Sequence, residues 1–281
     1  MIVGKFFNGS GLGNMLHQYV ATRVKATDLG VPFGMVYIDD GAGKEPGFKG
    51  QSFMNIDWGN SANTPLVVGT HEEVNAFLGV GMNVWHEKKV RENGVDISPY
   101  DPEFNFIQDN TIIEGEFQDS RYWEHREKEV DEWLKVEPLD MPDNLCVIGF
   151  RGGEFALYPD LFLTHDYWGK AVQLMINNHG IKRFEVHSDD IELARQFFTG
   201  GGYTNVSGSE FKFIHDIGIN WRSMRFAKYA IIANSSFFIL PRWLRQGKND
   251  GAVTMSPRFW GRRNIKVWSL PQNFYRRFLY I

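Results

Sequence analysis

Two apolar runs in the second half of the chain each end in small polar residues. Leu145-Cys-Val-Ile-Gly-Phe150 leads into Arg151-Gly-Gly-Glu154, and Tyr229-Ala-Ile-Ile-Ala233 leads into Asn234-Ser-Ser236. Short, continuously apolar runs suit strands buried on both faces, the kind found in parallel sheets covered by helices. Such a sheet opens its binding edge where the strands end, so both polar turns fall where a ligand would sit. A guanidinium, glycine N–H groups and hydroxyls suit a diphosphate there.

The rest of the chain alternates in the same way. Strands are predicted over 2–7, 33–38, 66–68, 111–113, 184–187 and 230–233. Helices are predicted over 16–29, from Thr70 onward, over 124–134, 191–198 and 217–228, from Thr164 to Gly180, and from Ser235. Residues 9–14 read as a tight glycine loop after the first strand, and 39–63, rich in Gly and Asn, as a long loop. Two prolines in Glu137-Pro-Leu-Asp-Met-Pro-Asp143 suit neither a helix nor a central strand, and they mark a boundary. The domains are therefore 1–140 and 141–281, each built of β-α units around a parallel sheet.

At 281 residues and 43% hydrophobic content the chain can bury two α/β cores of ordinary size or one large one. A formal charge of −4 offers no global attraction to nucleic acid, so any anion must be held by a local cluster. The single cysteine, Cys146, can form no internal disulfide and reads as a small buried hydrophobe. Met1-Ile-Val-Gly-Lys-Phe-Phe7 has too few apolar residues for a signal peptide or membrane span and reads as a first strand. Both facts suit a reducing cytoplasm, with docking onto a membrane surface left open. Nothing in the chain fixes an oligomeric state.

Arg151 is the leading candidate, at the carboxyl end of a buried strand where a guanidinium can grip a diphosphate; a salt bridge within the fold is the competing reading. Gly152 and Gly153 permit close approach. Glu154 is a candidate base or else a partner for Arg151. Gly9-Ser-Gly-Leu-Gly-Asn14 is a turn or a ligand loop, and its glycine spacing is not the nicotinamide fingerprint. Ser188-Asp-Asp190 holds a divalent cation or, through Asp189, caps the next helix. Asn234, Ser235 and Ser236 cap a helix, bind an anion at its N-terminus, or do both. No metal-ligand spacing, Walker loop or Gly-x-Ser-x-Gly elbow is present.

Five blocks in order carry a resemblance: Gly11-Leu-Gly-Asn14 with Gln18-Tyr19, Gly115-Glu-Phe-Gln118 with Tyr122-Trp123, Phe150-Arg-Gly-Gly-Glu154, His187-Ser-Asp-Asp190, and Ile231-Ile-Ala-Asn-Ser-Ser-Phe237. Together, spanning nearly the whole chain, they resemble motifs of the α-1,2-fucosyltransferase family, glycosyltransferase family 11. The resemblance implies an α/β fold of two Rossmann-like domains in a GT-B-type arrangement. It also implies GDP-fucose as donor, a glycan acceptor, inversion at the sugar carbon, and neither metal nor cofactor. Arg151 matches the arginine that contacts the donor diphosphate, Ser235 and Ser236 the donor-phosphate motif, and Gly11, Gly13 and Asn14 the N-terminal loop. Asp189 and Asp190 match a paired-aspartate motif of architectural role, and Asp190, Asn220 and Asn234 belong to the implied donor-binding set.

Several positions depart from the family pattern. Its His-x-Arg-Arg-Gly-Asp becomes Gly149-Phe-Arg-Gly-Gly-Glu154, losing a histidine and the second arginine and putting Glu where the family has Asp. Asn220 stands where relatives place an aspartate that reads the guanine edge, with Asp216 one turn earlier as a compensating carboxylate. Phe237-Phe-Ile-Leu-Pro-Arg-Trp243 replaces Ser-Trp-Trp-Gly-Ala-Trp. Three alternatives follow: a transferase using another nucleotide sugar, a catalytically inactive carbohydrate-binding relative, and a Rossmann-type oxidoreductase.

Overall fold

The computed structural model describes residues 1–7, 9–38, 47–59, 65–68, 70–78, 81–92, 95–200, 208–259, 261–263, 267–269 and 275–281. Of the expected long loop, 47–59 fall within that set and form turns without strand or helix; the remainder lies outside the described residues. Contacts divide the chain into two compact units, Met1–Val136 and Glu137–Ile281.

The first unit runs β1 (Ile2–Phe6), α1 (Leu12–Leu29), β2 (Phe33–Ile38), β3 (Leu66–Val68), α2 (His71–Leu78), β4 (Asn83–His86), β5 (Val90–Glu92), β6 (Val95–Ile97), β7 (Thr111–Glu114) and α3 (Glu127–Trp133). Five strands pair in parallel in the order β3-β2-β1-β7-β4, while β5 and β6 form a separate antiparallel pair. Val3, Val36, Val74, Met82 and Ile112 make one core beneath α2. Helix α1 lies so close to β1 that a Cβ on Gly4 would meet Thr22 Oγ1 at 2.1 Å. Thirteen of its eighteen residues are buried, so it is enclosed nearly all round rather than along one stripe. Gly30 ends it in the left-handed region, φ 66°, with its N–H bonded to the last carbonyls.

Two expectations need correction here. The helix begins at Leu12, with Gly11 as its N-cap, so Gly13 and Asn14 lie in its first turn rather than in a loop. The predicted helix 124–134 is broken: Glu124–Arg126 is a 3₁₀ turn, and α3 starts only after Arg126 leaves helical geometry at φ −118°, ψ 32°. His125 and Arg126 both reach Asp28, at 2.9 and 2.5 Å, and a regular helix cannot point two consecutive side chains at one carboxylate.

The second unit runs β8 (Leu145–Phe150), α4 (His165–His179), β9 (Arg183–Ser188), α5 (Ile191–Gly200), β10 (Glu210–Ile214), α6 (Ile217–Phe226), β11 (Tyr229–Ile232), α7 (Ser236–Gln246), β12 (Val253–Ser256), β13 (Gly261–Arg263), β14 (Val267–Ser269) and β15 (Leu279–Tyr280). Its main sheet is parallel throughout, in the order β10-β9-β8-β11-β12-β15. Counting only the strands of this sheet, the order is 3-2-1-4-5-6, the Rossmann order. Both units are thus α/β with parallel sheets. β8 is buried at every position, as its uninterrupted apolar run requires. β10, β12 and β15 were not legible: β10 carries Glu210 and Lys212, and β15 is two residues long.

Helix α7 is fastened by an unusual side chain. Arg242 is fully buried and donates to Thr254 Oγ1 (2.8 Å), Met224 O (2.9 Å) and Ala227 O (2.7 Å), closing the carbonyl end of α6. Among the described residues no helix is long and apolar enough to cross a membrane.

Candidate functional site

The strand order of the second unit reverses between β8 and β11, whose register runs from Cys146↔Tyr229 to Gly149↔Ile232. A parallel sheet leaves a crevice beyond the carboxyl ends of its strands at such a point. A hollow of about 430 Å³ lies at this edge of the sheet, a size within the usual range for small-molecule sites. Phe150 and Arg151 at the end of β8 line it, as do His187, Ser188 and Asp189 at the end of β9. The turn into α6 adds His215, Asp216, Ile217 and Asn220, and Phe237 and Phe238 enter from α7. The result is an apolar slot with a charged rim.

The rim is organised by Asp189. Its carboxylate accepts from Arg151 Nη1 through one oxygen and from the Gly152 N–H, at 2.9 Å, through the other. Gly153 sits at φ +32°, and a Cβ there would come within 2.6 Å of Asp189 Oδ2, so this glycine lets the loop close over the carboxylate. Arg151 Nη2 also lies 3.7 Å from Glu154 Oε1, and its guanidinium stacks 4.8 Å from the Phe155 ring. Arg151 therefore makes the salt bridge within the fold that was its competing reading, with Glu154 as a second, more distant partner, and the Asp189 carboxylate orients its guanidinium at the rim. The paired aspartates diverge. Asp190, not Asp189, caps α5, accepting from Leu193 N at 3.0 Å, so the two carboxylates serve different partners. Among the described residues no cluster of three or more His, Cys, Asp or Glu is arranged to hold a metal ion.

Behind the rim a polar chain crosses the sheet. Lys212 Nζ is 3.3 Å from Glu185 Oε1, Glu185 Oε2 is 3.6 Å from His187 Nε2, and His187 Nδ1 donates to Asn220 Oδ1 at 2.5 Å. The contact with His187 is the leading reason the Glu185 carboxyl is held below its ordinary range. With its oxygen engaged, Asn220 has its amide N–H groups left for the hollow. Asp216 also lines the hollow, while its Oδ1 caps α6 through Ile219 N at 2.6 Å.

The departures from the family motif have a packing explanation. A Cβ on Gly149 would meet the Phe238 ring at 2.6 and 2.7 Å and Met224 Cε at 2.9 Å, so phenylalanine fills the space a side chain at 149 would need. A Cβ on Gly152 would lie 2.9 Å from Asp190 Cβ, which crowds out a second arginine.

The remaining candidates of this unit stand off from the hollow. Ser235 is the N-cap residue of α7 but makes no side-chain cap bond, and Ser236 opens the helix; the next two residues, not the serines, line the hollow. Asn234 is buried and donates to Leu161 O at 2.9 Å. Glu154 is 70% exposed on its 3₁₀ turn.

In the first unit the glycine block interlocks with the second block. Asn14 Oδ1 accepts from Gln118 Nε2 at 3.1 Å, and Gln18 Nε2 donates to Gly115 O at 3.2 Å. Glu87 holds that second block in shape, accepting from the N–H groups of Glu116 (2.6 Å) and Phe117 (3.2 Å) and keeping Phe117 at φ 50°. Gly115 has to be glycine, since a Cβ would fall 2.5 Å from Glu87 Cβ. Burial, opposed by those two N–H groups, pushes the Glu87 carboxyl up to about 7.

No protein-family model matches the chain, and no curated protein matches it. Solved structures do resemble it. They include the E. coli heptosyltransferase WaaC with ADP, at 13% identity over 92% of this chain and 88% of that one, TM-score 0.43. POFUT1 in complex with GDP-fucose is similar at 11% identity over 87% and 93%, TM-score 0.44. The fucosyltransferase NodZ from Bradyrhizobium is similar at 12% identity over 86% and 92%, TM-score 0.49.

Of the residues singled out in the sequence, the fold brings Arg151 and Asn220 into one hollow with Asp189 and Asp216. It does not bring in Glu154, Asp190, Asn234, Ser235 or Ser236, and Gly11, Gly13 and Asn14 belong to the other unit. Sequence reasoning missed the lining role of His187, His215, Phe237 and Phe238. For His187 the available signal was its place at a strand's carboxyl end, the position that also singled out Arg151. Chemically, an aromatic slot with fixed donors and a guanidinium at its mouth can take a flat heterocycle joined to an anion.

Proposed function

We propose that the chain is a metal-independent, inverting glycosyltransferase that moves fucose from GDP-fucose to a glycan hydroxyl in the cytoplasm. The observation that carries this reading is Arg151, held by Asp189 at the mouth of a hollow beyond the carboxyl ends of β8 and β9 in a 3-2-1-4-5-6 parallel sheet. A guanidinium oriented beforehand loses little freedom on binding, and it offers fixed donors to a diphosphate whose charge grows as it leaves. The five motif blocks support the same reading. Within the second unit two of them meet at the Arg151–Asp189 contact, as the first two meet at Asn14 and Gln118 in the other unit.

In this mechanism the acceptor oxygen attacks the anomeric carbon as the bond to the diphosphate breaks, through an oxocarbenium-like state. Arg151 neutralises the departing charge, the role a cation fills in metal-dependent transferases. The aromatic slot holds the base. One feature favours a second reading, a transferase for another nucleotide sugar: with Asn220 Oδ1 bonded to His187, this residue offers the base a donor rather than an acceptor.

Calorimetric titration with GDP, GDP-fucose, GDP-mannose, UDP-sugars, ADP and NAD, followed by turnover assays with glycan acceptors, tests both. Tight binding of GDP-fucose with transfer that survives EDTA is expected. Preference for another sugar nucleotide selects the second reading. Glycan binding without turnover would indicate an inactive relative, and a response to NAD alone an oxidoreductase.

A further inference from the structure

Most polar side chains lining the hollow of the second unit are already engaged with the protein. Ser188 Oγ donates to Asp190 O and accepts from Asp190 N, each at 2.9 Å, and Asp189 holds Arg151 and the Gly152 N–H. His187 is fully buried, and both of its ring nitrogens face acceptors: Asn220 Oδ1 lies 2.5 Å from Nδ1, and Glu185 Oε2 lies 3.6 Å from Nε2. Glu185 is paired in turn with Lys212. The chain Lys212–Glu185–His187 therefore ends on the amide oxygen of Asn220.

Asn220 is 9% exposed, and among the described residues none hydrogen-bonds its Nδ2. An amide whose oxygen is engaged presents only N–H groups to a ligand. The free acceptors of the hollow are placed differently. His215 Nδ1 donates to Ser188 O at 2.8 Å, which leaves the lone pair of the neutral ring on Nε2, and Asp216 keeps one carboxylate oxygen, but both residues are exposed to solvent. Water can satisfy a ligand group on that side, so those contacts discriminate little. On the shielded side, a ligand group without a partner loses its hydration and gains nothing in return. A carbonyl there meets a donor; an amine meets another donor.

We propose that His187 is a positioning residue for nucleobase choice: by holding the Asn220 amide oxygen, it makes the hollow take a base that presents a carbonyl, a 6-oxopurine or uracil, and reject the amino bases adenine and cytosine. The inference rests on the nucleotide-sugar reading above and narrows its substrate class. Every residue involved belongs to the second unit. Phe150, Phe237 and Phe238 line the slot with aromatic surface, and such surface packs against the flat face of any base, so it contributes affinity without choice. The choice falls to the shielded amide. Turned round, with Nδ2 bonded to His187, the same amide would offer Oδ1 to the ligand and favour an amine. Base preference therefore reports which way Asn220 is held.

The test is calorimetry of the full chain with inosine diphosphate (IDP) against ADP and with UDP against CDP, each pair exchanging a carbonyl for an amine at the same ring position, and with GDP alongside. Wild type is expected to bind the carbonyl member of whichever pair it takes at least about tenfold more tightly, the scale of one buried polar group left unpaired. Asn220→Asp, whose carboxylate offers only acceptors, is expected to erase or reverse that preference. His187→Leu is expected to narrow it to under about threefold, because the amide is then free to turn and pair with either group. His187→Asn, whose side-chain N–H can still donate to Asn220 Oδ1, is expected to keep most of it. Should His187→Leu fail to fold, wild type and Asn220→Asp decide. ADP or CDP bound by wild type as tightly as its partner, GDP bound where IDP is not, or a preference unchanged in Asn220→Asp or in folded His187→Leu would overturn this inference only. No binding of any of these nucleotides would remove the nucleotide-sugar reading and this inference together.

Discussion

Replacing Glu87 by glutamine should change how the stability of the protein depends on pH, and the size of the change can be worked out from the structure. Glu87 is 4% exposed, and burial is the main reason its carboxyl titrates near 7 rather than at the ordinary 4.5. Because the folded value is raised, the folded state binds more protons than the unfolded chain between those two pH values. Stability contributed by Glu87 is therefore present below about 4.5 and is lost as pH rises through about 7. A rise from 4.5 to about 7 corresponds to roughly 3 kcal/mol, most of which falls between pH 5 and pH 8. Glutamine keeps the shape and can still accept from the Glu116 and Phe117 N–H groups, but it cannot ionise. Urea unfolding of both proteins at pH 5 and pH 8 isolates the Glu87 contribution, since every other titrating group cancels in the comparison. Wild type should lose roughly 2–3 kcal/mol more than Glu87→Gln on going from pH 5 to pH 8. Equal losses would mean that the carboxylate is ionised and well solvated in the folded protein, which would refute the reasoning.

Arg151→Ala should abolish detectable binding of a nucleoside diphosphate by calorimetry, yet cost no more than about 1 kcal/mol of stability, because its partly exposed pair with Asp189 contributes little to folding. Arg151→Lys should recover only part of the affinity, since an ammonium cannot reproduce the planar fork. Gly149→Ala should destabilise by about 1–3 kcal/mol through overlap with the Phe238 ring, and thermal or urea unfolding of the cycle with Phe238→Leu should show a favourable coupling of about 1 kcal/mol. Arg242→Met should cost about 3 kcal/mol or more in urea unfolding, because the carbonyls of Met224 and Ala227 lose their buried donor; a loss under 1 kcal/mol would show that water or a neighbour replaces it.

What the sequence determined is whatever follows from local chemistry. The short, β-branched and aromatic apolar run Leu145–Phe150 suits a strand enclosed on both faces, as it is, and Gly30 and Gly180 end their helices because each enters the left-handed region. Alternation of such segments forces a parallel α/β fold, and a polar residue just after a strand, as at Arg151, must lie on its binding edge. Tertiary structure decided which polar groups share that edge, because the partners come from segments far apart in the chain. Asp189 meets Arg151 across thirty-eight residues and Asn220 meets His187 across thirty-three, separations no local pattern reports. It also decided that Ser235 and Ser236 yield the hollow to Phe237 and Phe238, since which side of a helix start faces a crevice is set by how the whole helix packs. The row of Lys5, Glu114 and His86 is the clearest case: three residues unremarkable in sequence become neighbours only once strand order and register place the ends of β1, β7 and β4 side by side.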